Sequence, residues 1–459
     1  MKIRDEIQVT VEKLAYGGKG IARLDNRVVF VDGAVPGDTA LVRIQKVKRN
    51  HAEARVVSII SPSSLRQSPP CQHADYCGGC KWQHLAYDHQ LRVKKELVKE
   101  ALEHIGGFKD VEVLPTIASP SIFAYRNKME FSFTDRRWLP PPELENPEIT
   151  KGFALGLHVP GAFDRVMHID YCWLQDDLMN QILNFTQEYF RQGGFSVYNL
   201  KTHEGFLRFL VLRKSFAQEK YMVNLVTSEP GKEKLSDYVQ QLTESFPSIS
   251  SVVNTVNRRV AQIAFGEEEY LLYGEPALKE KLGDYEFLIS ANSFFQTNPL
   301  QACKLFETTQ QFVGGPHSLV WDLYSGTGTI DMFLSGQAKR IVGFELVGSA
   351  VKDAEANCRQ NGVTNCEFIS GDIRENILKQ NAQPDVIVTD PPRSGMHPDV
   401  VEGILAANPQ KIVYVSCNPT TMARDLKILS TGYNPILVQP IDMFPHTYHI
   451  ETIVLLERK

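Results

Sequence analysis

Lys411-Ile-Val-Tyr-Val-Ser-Cys-Asn-Pro419 is an apolar, β-branched run that stops on a cysteine and an Asn-Pro turn. A run of this kind, bounded by such a turn, reads as a strand buried on both faces, as in parallel sheets. A thiol at the C-terminal tip of a buried strand stands where open α/β sheets place their ligands. Outward from it, strands alternate with helical stretches from about residue 290. The clearest strands are 320–323, 340–344, 385–388 and 411–415, and each ends in polar or glycine-containing residues. The expected fold is α/β, with a doubly wound, Rossmann-like sheet filling residues 289–459.

The loop Asp322-Leu-Tyr-Ser-Gly-Thr-Gly328 follows the first of these strands and opens a helical stretch. Its glycines let backbone come close to a ligand. It lacks the full G-x-G-x-x-G pattern that cradles a pyrophosphate, and a D-L-x-x-G-x-G loop is typical of S-adenosylmethionine sites. Glu345 ends the next strand, nineteen residues past Gly326, where an acid accepts hydrogen bonds from ribose hydroxyls. Asp372 ends the following strand and is a candidate partner for an adenine amino group. Helix capping or solvation is the competing reading for both acids. Asp390-Pro-Pro-Arg393 is similar to the D/N-P-P-Y/F/W tetrapeptide that holds an exocyclic amine in amino-methyltransferases. Arg393 replaces the aromatic ring, which argues against N-methylation of adenine or cytosine.

The N-terminal part has a different pattern. Stretches 7–13, 27–31, 39–44 and 53–59 read as short strands, separated by turn signals at Gly17-Gly18, Asp25-Asn26 and Pro36-Gly37. They suggest a small closed barrel of the oligonucleotide-binding type over residues 1–60. That span holds eleven Lys/Arg against seven Asp/Glu, in a chain whose formal net charge is −5. A local basic excess suits a nucleic-acid contact confined to part of the surface, and equally an edge strand protected by lysines. The 459 residues leave room for two to four domains. No apolar run reaches membrane-spanning length, and the first residues carry no apolar region of the signal-peptide kind. A cytoplasmic monomer with no membrane contact is expected.

Residues 61–288 read as a central α+β domain, with a helix near 84–105 that can pack on the catalytic domain. Cys71, Cys77 and Cys80 have the spacing C-x5-C-x2-C, and Cys172 is the leading candidate for a fourth ligand. In a cytoplasmic chain of this length such a set points to metal rather than disulfides, and a Cys₄ site suits zinc or an iron–sulfur cluster.

Asp390-Pro-Pro-Arg-Ser-Gly395, Tyr414-Val-Ser-Cys-Asn-Pro419 and Ile441-Asp-Met-Phe-Pro-His-Thr-Tyr-His-Ile-Glu451 together resemble the RNA uracil-5-methyltransferase family. Phe294-Phe-Gln-Thr-Asn-Pro299 matches the segment that precedes the glycine loop there. The resemblance implies a TRAM-type RNA-binding barrel and a [4Fe–4S] cluster on Cys71, Cys77, Cys80 and Cys172. It also implies S-adenosyl-L-methionine held by Gln296, Tyr324, Glu345 and Asp390, to which the reading of the loop and strand ends adds Gly326 and Asp372; contact with the target uracil is the alternative for Gln296 and Asp390. Barrel and cluster together are more similar to the 23S ribosomal RNA branch than to the bacterial transfer-RNA branch. Transfer RNA, or a non-catalytic RNA-binding or folding factor, is the alternative.

The residues account for such chemistry. Uracil C5 is a poor nucleophile until a thiolate adds at C6 and breaks the ring conjugation. Cys417 is the expected nucleophile, with Arg393 one source of favouring charge. Glu451 is placed to take the C5 proton afterwards. His446 and His449 are candidates for orienting Glu451 and equally for structural roles. Arg126 and Lys128 are candidate RNA contacts, or plain surface residues.

Overall fold

The computed structural model describes residues 1–149, 151–162 and 164–459. At the N-terminus β1 (Glu6–Leu14), β2 (Gly20–Leu24), β3 (Arg27–Asp32), β4 (Thr39–Val47) and β5 (His51–Ser61) close into a barrel in the order β1-β2-β3-β5-β4. Alternate residues point inward, and Val9, Val11, Ala22, Val29, Val31, Ala40, Val42, Ile44, Ala52 and Ala54 fill the interior. Small aliphatic side chains suit so narrow a lumen. β2 went unread in the sequence because only six residues separate its flanking turns. Asp25 and Asn26 both take positive φ, +49° and +62°, as a two-residue hairpin turn between β2 and β3 requires.

The chain divides into two compact units. One contains Met1–Ser68, Lys81–Pro120 and Leu300–Lys459, and the other Pro69–Cys80 and Ser121–Pro299. In the first unit β6 (Glu112–Val113) joins β16 (His317–Leu323), β17 (Ala338–Glu345), β18 (Cys366–Ser370), β19 (Val386–Thr389), β20 (Lys411–Ser416), β21 (Tyr433–Ile441) and β22 (Glu451–Arg458). They form one sheet in the order β18-β17-β16-β19-β20-β22-β21-β6. The run from β18 to β20 is parallel. β22 enters antiparallel between β20 and β21. The chain leaves β16 toward β17 and β18, then returns to β19 on the other side, which makes a topological switch point at β16/β19. Ile412, Val413, Tyr414 and Val415 are fully buried, as expected of a strand covered on both faces.

The helix Tyr87–Ala101 belongs to this unit, and its Leu97 and Val98 share a core with Leu323, Ile412, Met422 and Val454. The helical period was legible in its leucines. That the helix also buries Gln90 and Lys94 was not, since both look like members of its charged face.

The second unit carries β7 (Lys128–Thr134), β8 (Ala154–His158), β9 (Val166–His168), β10 (Leu207–Ser215), β11 (Lys220–Thr227), β12 (Ile249–Val256) and β13 (Glu268–Gly274). Their order is β13-β12-β11-β10-β7-β8-β9, and a hairpin, β14 (Ala277–Leu282) with β15 (Tyr285–Ser290), forms a separate two-stranded sheet. The α/β fold, the N-terminal barrel and the mixed α and β middle are as the sequence implied. Among the described residues no helix is long and apolar enough to cross a membrane.

Candidate active site

Ser416 pairs with Thr452 at the last rung of the β20–β22 ladder. Cys417 follows Ser416, and Glu451 precedes Thr452 on an antiparallel partner. Thiol and carboxyl therefore stand side by side at one end of the sheet. This explains why β22 runs backwards here: its N-terminal residue reaches the edge where the parallel strands end. On the other side of β20, Thr389 pairs with Tyr414, and Asp390 occupies the next strand tip.

Side chains hold these tips together. Asn418 caps the helix Pro419–Leu429 through Oδ1, which accepts from Thr420 N–H at 3.1 Å. Its Nδ2 donates to the Arg393 carbonyl at 3.0 Å, and Thr421 Oγ1 donates to the same oxygen at 3.2 Å. Asp425, buried in that helix, accepts from Tyr414 Oη and Met396 N–H, both at 2.8 Å. The Asp390-to-Gly395 loop is thereby tied to the strand that carries the cysteine.

Burial pushes the Cys417 thiol up to about 11; Glu451 and Asp390 push the same way, while Arg393 opposes through its charge and a hydrogen bond. Burial also raises Glu451 well above the usual carboxylate range, with Asp390 adding and Arg393 and Lys94 opposing. Asp390 rises to about 7 through burial. Three groups that can each become anionic thus share one cation beside them and another behind, so they resist being ionised together.

The second cation is Lys94. It and Asp442 are fully buried, with Nζ 2.5 Å from Asp442 Oδ1 and 3.1 Å from the Phe444 carbonyl. Asp442 also accepts from Tyr87 Oη at 2.9 Å. The sequence reading missed this pair; its signal was an aspartate set between apolar residues in Pro440-Ile-Asp-Met-Phe444. His446 is fully buried, and its N–H donates to Gln90 Oε1 at 2.9 Å. Its carbonyl accepts from Lys81 and Trp82 N–H at 2.8 and 3.0 Å. His446 therefore anchors the loop before Glu451. His449 packs on Tyr448 with ring centroids 4.3 Å apart.

Beyond the switch point, the loop after β16 turns sharply. Tyr324, Gly326 and Gly328 take φ of +67°, +56° and +76°. Tyr324 and Ser325 N–H both donate to the Phe344 carbonyl, at 2.9 and 3.1 Å. Glu345 accepts from Gly326 N–H at 3.0 Å and from Val347 N–H at 2.8 Å. Ser325 Oγ is buried with no hydrogen-bond partner. Asp372 caps the helix Ile373–Leu378 and pairs with Arg374, which holds its carboxyl down at about 2. Beneath the loop lie two carboxyls, Asp322 and Asp331, both fully buried. Burial raises both, Asp331 to about 7, and Asp322 is raised further by Asp331. Asp331 was not singled out in the sequence, although an acid in Thr329-Ile-Asp-Met-Phe-Leu334 is out of place unless it has a partner.

Tyr324, Gly326, Glu345, Asp372 and Asp390 thus lie along one sheet edge with Cys417 and Glu451. Gln296 belongs to the second unit, where its carbonyl accepts from Asn127 Nδ2 at 3.0 Å. Cys71, Cys77, Cys80 and Cys172 share that unit. Burial pushes Cys172 up to about 12, with Cys77 and Cys71 adding and Arg126 opposing. Arg126 lies close enough to Cys172 and Cys80 to feel their charge, and Lys128 pairs with Glu130 at 2.5 Å. Among the described residues, no group of three or more His, Cys, Asp or Glu side chains is drawn together tightly enough to hold a metal ion. The expected ligands are gathered in one region without closing into a coordination shell.

The site can be set beside known proteins. A family model described as tRNA (uracil-5-)-methyltransferase matches residues 200–459, and one described as a TRAM domain matches residues 2–57. A protein of Bacteroides thetaiotaomicron named as an uncharacterized RNA methyltransferase is 41% identical over 97% of this chain and 100% of its own length. One of the same description from Chlorobaculum tepidum is 42% identical over 99% of this chain and 96% of its own. Among solved structures, the Pyrococcus abyssi tRNA (uracil-54, C5)-methyltransferase in complex with S-adenosyl-L-homocysteine is 30% identical. It has a TM-score of 0.76 and covers 98% of this chain and 100% of that one. The chain belongs to the RNA uracil-5-methyltransferase family, with a TRAM domain at its N-terminus.

Proposed function

We propose that this protein methylates C5 of a specific uridine in RNA, with Cys417 as nucleophile and Glu451 as base. The observation that carries the proposal is the pairing of this thiol and this carboxyl at adjacent strand tips, with Arg393 beside them. The Cys417 thiolate adds to uracil C6, and the C5–C6 electron pair moves into an enolate. C5 then forms its bond to the incoming methyl group. The Glu451 carboxylate removes the C5 proton, the ring double bond reforms and the C6–S bond breaks, returning the thiolate. Arg393 stabilises the sulfur anion at both ends of this sequence.

S-adenosyl-L-methionine supplies the methyl group as an electrophilic sulfonium. The loop at 324–328 fits such a molecule: its backbone is held open by positive φ, and Ser325 Oγ is a buried hydroxyl without a partner. Glu345 accepts from two N–H groups and keeps lone pairs for ribose hydroxyls. Tyr324, Gly326, Asp372 and Asp390 line the same edge. The target base must leave its stack at a cost of a few kcal/mol, and the barrel supplies RNA contacts that offset this. Cys71, Cys77, Cys80 and Cys172 are assigned to a [4Fe–4S] cluster, supported by their spacing and their grouping around Arg126. Absorption near 400 nm, on the order expected for such clusters, in anaerobically purified protein tests it; a colourless preparation contradicts it.

Of the RNA classes, 23S ribosomal RNA is favoured by the combination of barrel and cysteine set. Transfer RNA is the second reading, favoured by the full-length match to an enzyme named for transfer RNA. Mapping 5-methyluridine by mass spectrometry in ribosomal and transfer RNA from a deletion strain decides between them. Loss of one 5-methyluridine from 23S RNA is expected. Loss confined to transfer RNA supports the second reading, and loss from neither overturns the function.

A further inference from the structure

Tyr16 links the N-terminal barrel to the reactive cluster. Tyr16 sits in the turn between β1 and β2, closed by Ala15 N–H donating to the Lys19 carbonyl at 2.8 Å and Gly18 N–H to the Ala15 carbonyl at 3.0 Å. The turn is stapled to the loop that precedes Glu451. Trp82 Nε1 donates to the Gly18 carbonyl at 3.2 Å, and Trp82 N–H donates to the His446 carbonyl. The approach is tight: a Cβ on Gly18, whose φ is +88°, would lie 3.1 Å from Tyr448 Cδ1. Tyr16 meets Tyr448 edge-on, with ring centroids 5.8 Å apart. Tyr448 stands three residues before Glu451.

The half-buried Tyr16 phenol feels the charges of Cys417, Tyr448, Arg393 and Glu451, in that order after burial itself. These groups face it from three separate stretches of chain: the tip of β20, the loop at 390–395 and the approach to β22. No element of the mechanism above uses Tyr16, yet it packs on Tyr448 and lies close enough to the Cys417 thiol and the Glu451 carboxyl to feel their charges.

We propose that Tyr16 is an orienting residue of this site, its hydroxyl donating a hydrogen bond to a carbonyl oxygen of the target pyrimidine as Cys417 adds to the ring. The inference rests on the function proposed above. Thiolate addition at C6 drives an electron pair toward a ring carbonyl, and a fixed neutral donor there gains strength as the charge develops. Burial and the neighbouring anions push the phenol up to about 12, so it stays a donor throughout the neutral range. The barrel thereby supplies a group to the chemistry as well as a surface for RNA.

The test uses the full-length wild type, Tyr16→Phe and Tyr16→Ala, with total RNA from a strain lacking the enzyme as methyl acceptor. Tyr16→Phe keeps the ring and its packing on Tyr448 and removes only the donor. It is expected to lower kcat roughly tenfold, as loss of one hydrogen bond to a charged group does, with KM for RNA and thermal midpoint unchanged. Tyr16→Ala is expected to fall at least as far. A Tyr16→Phe enzyme with wild-type kcat overturns the inference and leaves the function standing, as does a loss confined to KM. A wild type that methylates no uridine overturns the function, and the inference falls with it.

Discussion

Cys417 and Arg393 show how little of a buried thiol's behaviour is its own. A thiol pushed up to about 11 is a poor nucleophile, and Arg393 is the nearby charge that favours its anion. Replacing Arg393 by Ala removes that charge and moves the thiol higher. The expected result is roughly tenfold slower alkylation of Cys417 by iodoacetamide at a fixed mildly alkaline pH, because the fraction present as thiolate falls by about that factor. Peptide mass spectrometry distinguishes Cys417 from the other cysteines. An unchanged rate would mean that Arg393 does not act on the sulfur. Cys417, Glu451 and Arg393 were singled out in the sequence because each sits in a short motif at a strand end, and the structure brings the three together. Lys94, Asp331 and Tyr16 were not, because each becomes meaningful only through a partner distant in sequence.

At the scale of elements, two buried electrostatic pairs support the edge that carries the chemistry. Lys94 on the helix Tyr87–Ala101 and Asp442 after β21 are the first. Changing Lys94 to Met strands Asp442 without its cation and is expected to cost about 3–5 kcal/mol in urea unfolding. Lys94→Met combined with Asp442→Asn is expected to recover much of the loss, and equal stability of all three proteins would show that the pair is not under tension. The second pair is Asp322 and Asp331, below the glycine loop. Asp331 is raised in the folded chain from 3.8 to about 7. Its contribution is therefore full below about pH 4 and is lost as pH rises through about 7. Asp331→Asn is expected to raise the thermal midpoint at pH 8 by a few degrees and to change it little at pH 4. A uniform shift at both pH values would contradict this. The parallel strands announced themselves as continuous apolar runs. The barrel was legible in four of its five strands, and β2 was lost between two turns with only six residues between them.

For the whole molecule, the arrangement joins an RNA-binding barrel to a methyltransferase sheet within one unit; Leu14 and Val35 share the sheet's core, and the Tyr16 turn packs on Tyr448. Sequence patterning told the barrel from the sheet because their periods differ, strict alternation in one and buried runs in the other. It could not say that they pack together, since packing leaves no periodic trace. The coordination geometry of the cysteines was likewise beyond it, because spacing gives identity and not convergence. The function proposed above rests on one event, a transient bond between Cys417 and the target ring. It is tested most directly by incubating the full-length protein and S-adenosyl-L-methionine with RNA transcribed with 5-fluorouridine, where fluorine at C5 leaves no proton for Glu451 to remove. The account predicts a stable protein–RNA adduct that maps by mass spectrometry to Cys417 and is absent from Cys417→Ala; an adduct through another residue, or none with RNA that the enzyme otherwise methylates, would contradict it.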